Sequence, residues 1–184
     1  GYAALTSNTI GNSNVAIGKD SMAINVAADR NVAIGLGSLQ NMTSATTADT
    51  YNTAIGYNAG KEVTSGVNNT LIGAKAGDAL QDDSNNTAVG GDCMTSLQTD
   101  NCTAVGYGSM FAATTSARTT AVGGGAFGNG VLTGNDNTAH GYRAGYETTS
   151  GAQNTLIGSQ AGDALTTGDN NIIIGHNAAA SAVD

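Results

Sequence analysis

The sequence predicts an all-β repeat protein: a parallel β-solenoid of about 17 residues per coil and about ten coils. Three observations predict it. The phrase Asn-Thr-x-(Ile/Val)-Gly recurs along the whole chain, and its glycine falls at Gly1, Gly18, Gly35, Gly56, Gly73, Gly90, Gly106, Gly123, Gly141, Gly158 and Gly175. The intervals are 17, 17, 21, 17, 17, 16, 17, 18, 17 and 17 residues, which chance does not produce. The first and third residues before each glycine are β-branched in every full coil except at His140, which favours extended backbone. A period this short, with one strand signal per unit, leaves no room for two helices and a turn, so it fits one solenoid coil.

Each coil position carries its own reason. One residue before the glycine stands Ile17, Ile34, Ile55, Ile72, Val89, Val105, Val122, His140, Ile157 or Ile174. Stacked about 4.8 Å apart, this row is expected to form a hydrophobic spine. Three before it runs a row of Val, Thr and Ile that includes Thr53, Thr70, Thr87 and Thr155. Four before it stands Asn in eight of ten coils, among them Asn52, Asn69, Asn86 and Asn154, with Cys102 and Thr119 as exceptions. An asparagine stack can satisfy its own donors and acceptors as an amide ladder. The glycines, Gly56, Gly73 and Gly158 among them, suit a corner that needs positive φ or close backbone approach.

After the corner, the third residue is always small (Ala, Ser or Cys93), and the fourth is a large apolar residue, Ala179 or Gly. Where it is Gly60, Gly77 or Gly162, an apolar residue appears three later, at Val63, Leu80 or Leu165; after Gly145 comes Thr148 instead. Such a shift of apolar volume along the coil marks packing rather than a ligand site. The polar tails read as outward loops, and the extra residues of the 21-residue interval fall within 40–51. Residues 52–90 match 137–175 at 24 of 39 positions, an offset of five coils. The whole chain, 1–184, therefore reads as one solenoid with an internal five-coil duplication. Its first residue falls inside a repeat, so it is expected to be a segment of a longer chain.

Composition narrows function. Charged residues are 11%, against about 25% in an ordinary soluble domain. The net charge is −8, and the six basic residues stand singly, which argues against nucleic acid and anionic membrane as partners. No apolar run is long enough to span a bilayer, so no membrane insertion is expected. Two cysteines, Cys93 and Cys102, are too few for a disulfide framework and are expected as buried thiols. Each coil offers only about three sizeable apolar side chains for about 17 ordered residues, a thin core against the entropy of ordering. A symmetric oligomer with a shared core is therefore expected, and the row of small residues three after each glycine is the expected face of approach.

The stretches N-V-A-I-G (14–18 and 31–35), N-T-A-I-G-Y-N-A-G (52–60) and N-T-L-I-G (69–73 and 154–158) resemble two related groups. One is the head of trimeric autotransporter adhesins; the other is the repeat region of phage tail fibres and similar appendages. The tail T-T-G-D-N-N (166–171) and the longer period look more like the phage type. The resemblance covers essentially the whole chain. It implies a left-handed parallel β-roll, a homotrimer, and a structural and adhesive role without catalysis, as the shaft or head of a virion or cell-surface appendage. It also implies further appendage proteins at both ends and a cell-surface receptor or glycan as partner, with contact through loops such as 40–51. The alternatives are a bacterial trimeric adhesin head, an extracellular filament subunit and, more remotely, an acyltransferase-like enzyme on a left-handed β-helix.

Five features invite chemistry. Gly123–Gly128 superficially fits a phosphate loop, but no helix pattern follows to supply the anion site. The I-G-x-x-A phrase resembles one acyltransferase hexad, whereas that helix needs three per coil. Asp78, Asp82, Asp83 and Asp92, partly echoed by Asp163 and Asp169, are weak calcium candidates without a known calcium-loop spacing. His140 takes the spine position and is read as a buried or partly hydrated residue, or as an ion ligand if three copies meet on an axis. The threonine row resembles an ice-binding array, but its partner rank is Ile/Val. No cofactor is expected.

Overall fold

The computed structural model describes residues 1–43 and 48–179. Among these there is no helix. The strands are β1 (Val15–Ile17), β2 (Ala28–Asp29), β3 (Val32–Ile34), β4 (Ala48–Asp49), β5 (Thr53–Ile55) and β6 (Thr70–Ile72). They continue with β7 (Thr87–Val89), β8 (Thr103–Val105), β9 (Thr120–Val122), β10 (Thr138–His140), β11 (Thr155–Ile157) and β12 (Ile172–Ile174). Ten of them stack in chain order into one parallel sheet, β1-β3-β5-β6-β7-β8-β9-β10-β11-β12. Like residues pair with like: Thr53 with Thr70, Ile55 with Ile72, Thr138 with Thr155. The chain is thus a parallel β-solenoid, with ten rungs bounding about nine turns. In the long interval β4 pairs with β2 as a small side sheet. Residues 44–47 of the expected 40–51 loop lie outside the described residues.

The sheet is only one side of the coil, yet backbone bonding between coils continues around it. Gly60 N–H donates to the Ala76 carbonyl (2.9 Å), and Thr64 N–H to that of Gln81 (2.9 Å). The coil closes because its backbone enters the left-handed region at fixed places. These are the repeat glycine, the second and fourth residues after it, and the fifth before it, as at Gly73 (φ 136°), Lys75 (57°), Gly77 (59°) and Asn68 (57°). The repeat glycine is required twice over. Its φ disfavours a side chain, and a Cβ on Gly73 would land on the Gly90 carbonyl of the next coil.

The core corrects two expectations. Successive strand side chains point to opposite faces, and the buried one is the middle residue: Ala33, Ala54, Leu71, Ala88, Ala104, Ala121, Ala139 and Leu156 are all 0% exposed. The Ile/Val row therefore faces outward and is not an interior spine; Ile55, Ile72 and Ile157 are 36–38% exposed. The ladder asparagine and the Ile/Val are three residues apart, an odd number, so an extended backbone cannot bury both. Burying the asparagine decides the parity.

The second correction concerns the small residues after the corner. They form no outer approach face: Ser21, Ser38, Ala59, Ala76, Cys93, Ser109, Ala126, Ala144 and Ala161 are fully buried. The corner turns them inward, where Ser21, Ser38 and Ser109 return a hydroxyl to the repeat-glycine carbonyl at 3.0–3.2 Å. The compensating residues Val63, Leu80 and Leu165 are buried as expected. Strand residue Leu71 extends into the space that Gly60 and Gly77 leave empty.

Candidate binding surfaces

The asparagine ladder is the most regular polar feature of the chain. Asn69 N–H donates to Asn52 Oδ1, and Asn86 N–H to Asn69 Oδ1, both at 2.9 Å. The same bond joins Asn154 to Asn137 and Asn171 to Asn154. In the middle coils Nδ2 also reaches a backbone carbonyl across the coil, Asn52 to Gly66 (2.7 Å), Asn69 to Asp83 (2.8 Å) and Asn154 to Gly168 (2.8 Å). These amides bond to the backbone and to one another, so the row is architecture and not a ligand site.

The cysteines are free, buried and adapted to the same network. Cys93 Sγ donates to the Gly90 carbonyl (2.9 Å), as serine does elsewhere in that row. Cys102 Sγ donates to the Ser116 carbonyl (2.9 Å), standing in for an asparagine Nδ2. Burial pushes the Cys93 thiol up to about 12 and raises that of Cys102, so neither is a reactive thiolate at neutral pH.

The acid candidates do not converge. Among the described residues, no three His, Cys, Asp or Glu side chains are placed to share a metal ion. Asp82 Oδ1 already accepts hydroxyl bonds from Thr64 (2.6 Å) and Ser65 (2.7 Å), which hold its carboxyl below the usual range. Asp83 accepts from the Gln81 N–H, but desolvation raises its pKa. Asp78 is also raised by desolvation, and its Oδ1 is buried without a hydrogen-bond partner. Asp163 Oδ1, five coils on, is orphaned in the same way. His140 is exposed on the outward side of β10, not buried in a core row, and His176 is exposed as well.

Two surfaces remain. The first is the outward face of the ten-stranded sheet, with a Thr-rich rank beside the Ile/Val rank. Its exposure rises toward the ends, to 57% at Ile17 and 65% at Ile174. The second was not legible as a site in the repeat pattern. It is a groove of about 710 Å³ beside the corner of the coils that close at Gly106, Gly123 and Gly141. Tyr107, Phe111, Tyr142 and Tyr146 line it, four of the chain's eight aromatic residues. The only signal in the sequence was that clustering of aromatics around Gly124, Gly125 and Gly128. No protein-family model matches the chain, and it matches no curated protein and no solved structure.

Proposed function

We propose that this chain is a rigid structural segment that self-associates, as a homotrimer, through the outward face of its ten-stranded sheet. The observation that carries this reading is the Ile/Val rank left partly exposed along that face, 36% at Ile55 and 65% at Ile174, and interrupted only by His140. A continuous exposed apolar strip is unusual on a monomer and marks an interaction surface. Its in-register repetition suits a partner of the same pitch, which a second copy of the chain supplies. The motif resemblance adds the number three, the left-handed winding and the setting: a phage-type tail fibre or similar appendage, with a bacterial trimeric adhesin head as the alternative. In this role the chain spaces and presents, and catalyses nothing.

Native mass spectrometry and light scattering test the assembly. The wild-type chain is expected to run at three times its 18.1 kDa mass. Ile72→Lys combined with Ile157→Lys is expected to give monomers whose β-type circular dichroism persists, since both side chains point away from their own core. A wild-type monomer at micromolar concentration overturns the reading.

The threonines at the first strand position favour a second reading. Thr53, Thr70, Thr87, Thr103, Thr120, Thr138 and Thr155 stand on the same outward face as the Ile/Val rank. This repeating hydroxyl-and-apolar array suits an ordered inorganic surface such as ice. Thermal hysteresis in a monomeric wild-type chain, abolished by Thr87→Lys, would move the assignment there.

A further inference from the structure

We infer that the groove around Gly108 is a carbohydrate site that takes a short oligosaccharide stretch of a surface glycan. Gly108 is a glycine that the backbone does not need. Gly108 has φ 62°, in the left-handed region. The equivalent position in eight other coils takes a side chain at nearly the same φ, as at Asn58 (53°), Asp92 (50°) and Arg143 (53°). Nor does packing require it, because a Cβ on Gly108 would meet nothing within 4 Å. What the missing side chain leaves is open space between Asp92 on the coil before and Gly125 on the coil after.

That space has aromatic walls. Tyr107, 71% exposed, and Phe111, 48% exposed, come from the same coil; Tyr142, 58% exposed, comes from two coils further on. In a chain with 4% aromatic residues this local density is not explained by the core, since none of the three is buried. Exposed aromatic faces carry negative quadrupole density, and the axial C–H bonds of a pyranose present the complementary surface. The Arg143 guanidinium lies 3.8 Å from the centroid of the Tyr146 ring, which holds both planar groups in place at the rim.

The polar groups choose between ligands. Asp92 offers only acceptors and Arg143 only donors. They stand on coils three apart, about 14 Å at a rise of about 4.8 Å per coil, so a ligand that reaches both must donate at one end and accept at the other, as the hydroxyls of a short oligosaccharide do. A proline-rich peptide, the other usual occupant of an aromatic groove, presents acceptors but lacks N–H donors at its prolines. A concave site with apolar walls and a few convergent polar groups is the general form of a small-ligand pocket.

The groove lies within one protomer, so this inference gives the proposed appendage a ligand without resting on its trimeric state. Saturation-transfer NMR and calorimetry test it on the intact chain, with glucose, galactose, N-acetylglucosamine, their oligosaccharides and a proline-rich peptide as probes. At least one sugar is expected to bind. Tyr107→Ala and Tyr142→Ala should each weaken it by about tenfold or more. Gly108→Asn should abolish binding while the fold stays intact, because Asn58 already occupies that conformation elsewhere. Tyr57→Ala, at the Tyr107 position of a coil outside the groove, should change nothing. Native mass is read on every sample. Failure of all sugars to bind, unchanged binding in the three groove variants, or binding of the peptide alone overturns the inference. So does a wild-type oligomer that the groove variants dissociate, since the groove would then be a contact between copies. A trimer that binds no sugar defeats only this inference, and a monomer that binds sugar defeats only the assembly.

Discussion

At the residue scale, Asn69 shows what one repeated side chain does. It fills three bonds at once: Oδ1 accepts from Asn86 N–H, Nδ2 donates to Asp83 O, and its own N–H reaches Asn52 Oδ1. Asn69→Ala leaves the buried Asn86 N–H and the Asp83 carbonyl without partners, at about 1–3 kcal/mol for each unsatisfied group. Urea denaturation should show a loss of about 2–4 kcal/mol. The reverse experiment lies at Cys102, which receives the ladder from Asn86 (2.9 Å) but carries no amide oxygen to pass it on. Cys102→Asn should restore the rung and raise stability by about 1 kcal/mol. The native thiols should also resist a thiol reagent at pH 8 and react only on unfolding, because burial raises both.

At the scale of the element, the three-residue strand is too short to be stable alone and depends on its register with the coils on either side. That register is set by two stacked rows, the amide ladder before the strand and the glycine corner after it. Gly73→Ala tests the corner. The new Cβ meets the Gly90 carbonyl at a φ of 136°, so both the dihedral and the coil spacing must give. A loss of about 3 kcal/mol or more is expected, against less than about 1 kcal/mol for Lys75→Ala, whose side chain is exposed. Equal losses from the two variants would remove the corner from the account. Thr148 makes a smaller point. It is buried where other coils place Val63 or Leu80, and its hydroxyl has no partner.

For the whole molecule, charge sets the pH response. The net charge is −8 and the carboxyls are not equivalent. Desolvation raises Asp78 and Asp83 above their unfolded value of 3.8, so the folded chain binds those protons more tightly than the unfolded one. Stability attributable to them therefore falls as pH rises through the interval above 3.8. Asp82 and Asp136, held low by the Thr64 and Ser65 hydroxyls and by Arg118, act oppositely: their contribution is lost only as pH drops below 3.8. Thermal unfolding followed from pH 3 to pH 8 should thus show a maximum on the acid side of neutrality. Asp78→Asn should raise the melting temperature at pH 7 and flatten that slope. A melting temperature that climbs steadily to pH 8 would contradict the assignment.

The sequence by itself determined the solenoid, its pitch, the corner glycine and the amide ladder. Those features rest on like residues stacking on like, and a repeat displays that one-dimensional order directly. It also located Val63, Leu80 and Leu165 as core volume displaced from Gly60, Gly77 and Gly162. The tertiary structure alone decided which side of each row faces inward. Apolar character pointed the Ile/Val rank to the core and left the strand's middle alanine unremarked. The buried asparagine fixed the opposite parity and turned the Ile/Val rank outward into a surface. The small residues carry a related ambiguity: a row of alanine and serine suits a tight corner interior as well as a flat exterior. The groove around Gly108 was hidden in the same way, because a side chain absent from one coil becomes a cavity only when the neighbouring coils supply its walls.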